Sequence, residues 1–111
     1  MMAMKPAELL SSTHALLADR VRLTIMATLA ATTEPIEFSA LLDSLNLTKG
    51  NLSSHIQKLE EAGLIQVKKE FVGRKPRTTY LCSDLGRREV RNYLSKIERL
   101  LKQTRKDVKN V

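Results

Sequence analysis

Cysteine, aromatic rings and long apolar runs are all scarce in this sequence, and each shortage closes off a class of answer. The single cysteine, Cys82, cannot form an intrachain disulfide and points to a reducing compartment, so a cytoplasmic location is expected. Aromatic residues make up 4% of the chain and tryptophan is absent, which leaves aliphatic side chains to build the core. No apolar run approaches the roughly 20 residues that a membrane-spanning helix needs, so a membrane is not an expected partner. The start, Met1-Met2-Ala3-Met4-Lys5-Pro6, lacks the apolar core and cleavage pattern of a signal peptide. Catalysis has no support either. No Ser-His-acid set, metal-ligand cluster or phosphate-cradling Gly-rich loop can be assembled, so no enzyme activity, cofactor or metal is expected.

What is present is an ordinary globular composition with an uneven charge. The 111 residues, 42% hydrophobic and 28% charged, suit one domain with one core. The net charge of +7 favours a polyanion as partner. Residues 1–47 carry three basic and five acidic side chains, and residues 48–63 carry two of each. Residues 64–82 hold five basic against one acidic, and residues 83–111 hold nine against four. The whole positive excess therefore lies in the C-terminal half, which scattered solubilising lysines would not require.

Residues 47–63 have the strongest local pattern. Thr48 suits an N-cap, Leu52, Ile56 and Leu59 fall on one helical face, and Gly63 suits a left-handed stop. The other face holds Gly50 with short polar side chains and no bulky group. Such a ridge fits a groove, and it reads as a DNA-recognition helix. Asn51, Ser53, Ser54 and Gln57 are placed for base edges, Lys49 and Lys58 for phosphates. Glu60 and Glu61 are expected to point away from DNA. His55 lies about 60° from the centre of the apolar stripe, which leaves two readings: half-buried packing residue or phosphate contact.

Upstream, Pro6 can open a helix to Leu17, and Asp19 can cap a second running to about Ala31. Ile36-Glu37-Phe38 is a strand stub. Ser39 is expected to cap a third helix with Leu41, Leu42 and Leu45 inward, joined to the recognition helix by a turn at Asn46. Downstream the apolar period becomes two. Ile65, Val67 and Phe71 share one side of a strand, Val72 to Arg77 form a loop, and Thr78 to Cys82 return. Arg74, Lys75 and Arg77 around Gly73 and Pro76 make a basic tip for backbone or minor-groove contact. Ser83 caps a last helix in which Val90, Leu94, Ile97, Leu101, Thr104 and Val108 are spaced 4, 3, 4, 3, 4. That heptad seam extends beyond what a small core can cover. Leu94, Ile97, Leu101, Thr104 and Val108 are therefore expected at a homodimer interface.

The fold class expected is mostly α with a small β-hairpin wing (α+β): a winged helix-turn-helix over residues 1–84, continuous with a C-terminal dimerisation helix over residues 85–111. Thr48 to Ile65 resembles the recognition helix of ArsR- and MarR-like repressors. Phe71-Val72-Gly73-Arg74-Lys75-Pro76-Arg77-Thr78 looks like the wing of a small subgroup of winged helix DNA-binding regulators. Tyr80-Leu81-Cys82-Ser83-Asp84-Leu85-Gly86-Arg87 is similar to their Tyr-x-Leu-Thr-x-x-Gly-Arg signature. The similarity covers about residues 15–105. It implies a homodimeric repressor on a pseudo-palindromic double-stranded DNA site, with an unidentified small-molecule effector in a pocket near the dimer seam. Two departures matter. Ser39 to Leu45 has no Cys or His, so the metal-sensor role is not carried over, and Cys82 stands where the family has an aliphatic residue. A protein-interaction module and a non-specific architectural DNA binder are the alternatives.

Overall fold

Side-chain caps set where most helices of this chain begin, as seen in a computed structural model that describes residue 7 and residues 11–109. Helix α1 is Ser12–Leu17, and Ser11 caps it by accepting from the amide of His14 at 3.2 Å. The expected start at Pro6 lies outside the described residues. Helix α2 is Arg20–Ala30. The Asp19 carboxylate caps it, accepting from the amides of Val21 at 2.8 Å and Arg22 at 3.0 Å. Its Ile25, Met26 and Leu29 are buried.

Strand β1 is Ile36–Glu37 and helix α3 is Phe38–Leu45. The cap position is Glu37, whose side chain makes no capping bond, and Ser39 lies inside the helix. This corrects the expected Ser39 cap. The reason is the sheet: Glu37 is still paired with Thr79, and the chain turns into the helix directly after it. Leu41 is buried, while Leu42 and Leu45 are half-buried against the core. Asn46 then takes a left-handed conformation, φ 52°, which its short polar side chain tolerates. That makes the tight turn into α4, Lys49–Glu61, capped by Thr48 through the Asn51 amide at 3.2 Å.

Strands β2, Ile65–Val72, and β3, Lys75–Cys82, form the hairpin, and the sheet order is β1-β3-β2, antiparallel throughout. Val72 pairs with Lys75 across a two-residue turn, Gly73-Arg74, with φ 66° at Gly73. Glycine at the first central position is what a type II′ hairpin turn requires. The expected loop from Val72 to Arg77 is thus too long: Lys75, Pro76 and Arg77 belong to β3. Phe71 does lie on the same face as Ile65 and Val67, but it is 75% exposed because the hairpin has left the core behind.

Helix α5 is Asp84–Lys109. Its first turn is locked to the corner between α4 and β2. The Ser83 hydroxyl accepts from the Gly86 amide at 2.9 Å and donates to the Gly63 carbonyl at 2.6 Å. The Ser83 amide donates to the Leu64 carbonyl at 3.1 Å. The Arg87 guanidinium caps the end of α2 by donating to the carbonyls of Ala30 at 2.5 Å and Thr32 at 3.4 Å. Val90 and Tyr93 are buried, with the Tyr93 ring 5.1 Å from buried His14. Beyond Ile97 the helix leaves the body. The molecule measures 63 × 24 × 23 Å, with a radius of gyration of 16.8 Å. A compact chain of this length has about 13 Å.

Candidate nucleic-acid interface

Helix α4 buries Leu52, Ile56 and Leu59 and turns its polar ridge wholly outward. Lys49, Gly50, Asn51, Ser53, Ser54, Gln57 and Lys58 are all exposed, and no other described element lies over them. Spacing alone leaves two readings for His55, and the structure shows what its ring touches. The residue is half-buried, and its Nδ1 stands 3.1 Å from Nη1 of Arg22 on α2. A guanidinium can only donate, so Nδ1 accepts and the ring proton sits on Nε2. His55 thus ties α4 to α2 through Arg22, a contact that leaves its Nε2–H to donate elsewhere. Arg22 is itself held, donating through Nε to the Leu16 carbonyl at 2.7 Å and lying 3.8 Å from the Asp19 carboxylate. The Arg22 amide holds the Asp19 carboxyl below its ordinary value, with the Arg22 charge and the Val21 amide acting the same way against the opposing effect of burial.

Gln57 is less free than its exposure suggests. Its amide nitrogen donates to Glu61 at 3.2 Å, which leaves the carbonyl oxygen and one amide hydrogen for a partner. Reading Glu61 only as a group pointing away from DNA misses this restraint, although the i, i+4 spacing signals it.

The three wing residues do not share one position. Arg74 is in the turn and Lys75 starts β3, both exposed at the tip. Arg77 sits nearer the body and pairs with Glu37 of β1, Nε to carboxylate oxygen at 3.1 Å. Lys68 and Glu70 pair along β2 at 3.6 Å. An open cleft lined by Glu37, Phe38, Ser39, Lys49, Pro76, Arg77, Thr78 and Tyr80 joins the wing to the N-terminal end of α4. Lys49 and Arg77, 28 positions apart in the chain, thus face one groove. Lys58, nine residues further along α4, is about 13 Å away along the helix.

On α5, Leu94 is 43% and Leu101 48% exposed, and Leu100 beside them 38%. Ile97 is half-buried and packs on the protein's own core. The Thr104 hydroxyl donates to the Leu100 carbonyl at 3.1 Å. The side chain of Val108 lies outside the described residues. Cys82 is half-buried, and its thiol faces the Ser83 carbonyl at 3.5 Å. Burial pushes that thiol up from its ordinary pKa, against a smaller opposing pull from Arg87. Among the described residues no group of three His, Cys, Asp or Glu is arranged to hold a metal ion, and no helix is long and apolar enough to cross a membrane.

Residues 21–101 match a family described as the winged helix DNA-binding domain. An uncharacterized protein of Methanocaldococcus jannaschii is 39% identical over 82 residues, which are 74% of this chain and 88% of that one. The structure of the transcriptional regulator homologue of Pyrococcus horikoshii OT3 superposes with a TM-score of 0.78 at 34% identity, covering 87% of this chain and 93% of that one. A PadR family transcriptional regulator from Eggerthella lenta gives 0.64 at 26% identity, covering 85% and 89%.

Proposed function

The chain belongs to the winged helix DNA-binding domain family of transcriptional regulators, and from that premise we propose that it acts in the cytoplasm as a homodimeric, sequence-specific repressor. One observation carries the reading. The exposed ridge of α4 consists of Gly50 and short polar side chains flanked by Lys49 and Lys58, and no other described element covers it. Asn51, Ser53, Ser54 and the free carbonyl of Gln57 offer donors and acceptors to base edges, while Lys49, Lys58, Arg74, Lys75 and Arg77 meet phosphates. Two copies of the ridge, related by a twofold axis, would enter successive major grooves about 34 Å apart on a pseudo-palindromic operator.

The partner copy is inferred from α5. Leu94, Leu100 and Leu101 remain 38–48% exposed on a helix that projects from the body. Completing their burial is worth roughly 1–2 kcal/mol apiece in each protomer. Residues 85–111 are the dimerisation helix in this reading, with Thr104 and Val108 extending the seam.

Selection of bound fragments from a genomic pool at about 50 mM salt, followed by gel shift, tests the proposal. An enriched, dyad-symmetric sequence is expected, and its affinity should fall steeply with added salt. Equal affinity for all DNA would replace the repressor with an architectural binder. Loss of all DNA binding, with a protein partner held at high salt, would replace it with an interaction module.

A further inference from the structure

The end of the wing carries an apolar group that the protein itself does not use. Phe71 is 75% exposed and Val72 56%, more than any other large hydrophobic residue described. A ring left in water forfeits burial worth roughly 1.5–3 kcal/mol, which a partner that covers it recovers. The ring also stands on a stiff support. Phe71 pairs with Pro76 and Val72 with Lys75, next to a two-residue turn, and proline fixes its own φ.

The surroundings decide what covers the ring. Lys68, Lys69, Arg74, Lys75 and Arg77 lie on the same hairpin, and Glu70 is the sole acid among residues 64–82. Two such tips repel each other, whereas a polyanion is attracted. By strand register Phe71 shares a face with Pro76, Thr78 and Tyr80. Those three line the cleft that Lys49 of α4 also faces. The ring is therefore presented on the side where the recognition helix begins.

We propose that Phe71 is a wedge for duplex DNA: its ring enters the minor groove beside the site read by α4, partly unstacks one base step and kinks the duplex. This rests on the DNA-binding reading above. Arg74 and Lys75 hold the flanking phosphates while the ring is inserted. Apolar wedges of this kind bend DNA by about 20–90° toward the major groove, which is the groove α4 occupies. Pyrimidine–purine steps unstack most easily. Phe71 thus confers a preference at a step that no side chain hydrogen-bonds.

The test uses the full chain on its selected operator, with end-to-end fluorescence transfer for the bend and 2-aminopurine at the step under the wing for unstacking. The wild type should bend DNA by at least about 20° and brighten the 2-aminopurine. It should prefer TA over AA at that step by about fivefold or more. Phe71→Ala, at a position too exposed to disturb the core, should bind the same operator with the bend, the brightening and the preference abolished. Phe71→Lys should keep or raise affinity through an added phosphate contact without restoring any of the three. Straight DNA in the wild-type complex, or an unchanged bend with Phe71→Ala, overturns the wedge and leaves the DNA-binding reading standing. Failure of the wild type to bind any duplex overturns both.

Discussion

Gly86→Ala tests the corner on which the whole arrangement turns. A Cβ at residue 86 would stand 2.0 Å from the Leu64 carbonyl oxygen, 2.9 Å from its carbonyl carbon and 3.0 Å from Cε of Met26, where ordinary contact is 3.4–4 Å. The methionine tip can move aside. The carbonyl cannot, because it is the acceptor for the Ser83 amide at 3.1 Å. Relief therefore means opening α5 from the α4–β2 corner by more than an ångström. That weakens two hydrogen bonds, Ser83 to Leu64 and Ser83 to Gly63, at about 1 kcal/mol each, and adds roughly 1–3 kcal/mol of overpacking strain. Alanine's better helix propensity returns up to about 1 kcal/mol. The net loss is about 2–4 kcal/mol against a total of roughly 5–15 kcal/mol for a chain of this length. A fall in Tm of about 10–20 °C follows, read by circular dichroism at fixed protomer concentration. Gly50→Ala is the control: nothing lies within 4 Å of that Cβ, so stability should hold or rise by up to about 1 kcal/mol. A Gly86→Ala protein melting within about 3 °C of the wild type would refute the reasoning.

Arg74→Ala with Arg77→Ala should weaken binding to all DNA and lower the salt slope by about 0.9 for each phosphate no longer neutralised; an unchanged slope would remove the wing from the interface. Glu37→Gln releases Arg77 from its partner and should do the reverse, tightening binding and steepening the slope in the same titration. Leu94→Lys with Leu101→Lys should leave a folded monomer in sedimentation and abolish cooperative binding to two half-sites, while a persisting dimer would move the seam elsewhere. Asp19→Ala should cost about 1 kcal/mol through removal of the N-cap. Because the Asp19 pKa is depressed in the folded state, its contribution is complete above the unfolded value near pH 4 and disappears as pH falls through the lower folded value; urea melts of wild type and Asp19→Asn should therefore differ by a constant amount down to about pH 4 and by progressively less below it.

How much of this is legible in the sequence depends on whether the signal is local. The recognition helix has its cap, stripe and stop within 16 residues, from Thr48 to Gly63, and all three are where spacing puts them. The alternation of β2 puts Ile65 and Val67 on the inward face for the same reason. Period alone does not say where the core ends, however. Phe71 has the right parity and no core beneath it, and Ile97 has the right spacing yet packs on its own domain. The wing loop reads as too long because Gly73 by itself supplies the turn, which lets β3 begin as early as Lys75. Contacts between distant residues leave no pattern to read. Arg22 meets His55 across 33 positions and Glu37 meets Arg77 across 40, and each of these pairings changes what a candidate DNA-binding residue can do.

The Gly-Arg pair in the first turn of the last helix is where local and distant effects meet. Gly86 exists as glycine so that α5 can touch the Leu64 carbonyl, and Arg87 closes the end of α2. Ser83, just before them, bonds directly to Gly63, the residue at which the recognition helix stops. The direction of α5 is thus passed to α4 through a few short hydrogen bonds and not through a linker. From Ser83 to Leu101 is about 27 Å of helix, so a tilt of about 5° at the corner would displace Leu101 by about 2 Å. Equally, a seam packed in one register fixes that tilt. If two copies pair through α5, the separation of their ridges is set at the Ser83 corner, and the spacing of the operator half-sites becomes a property of Gly86 as much as of any residue that touches DNA.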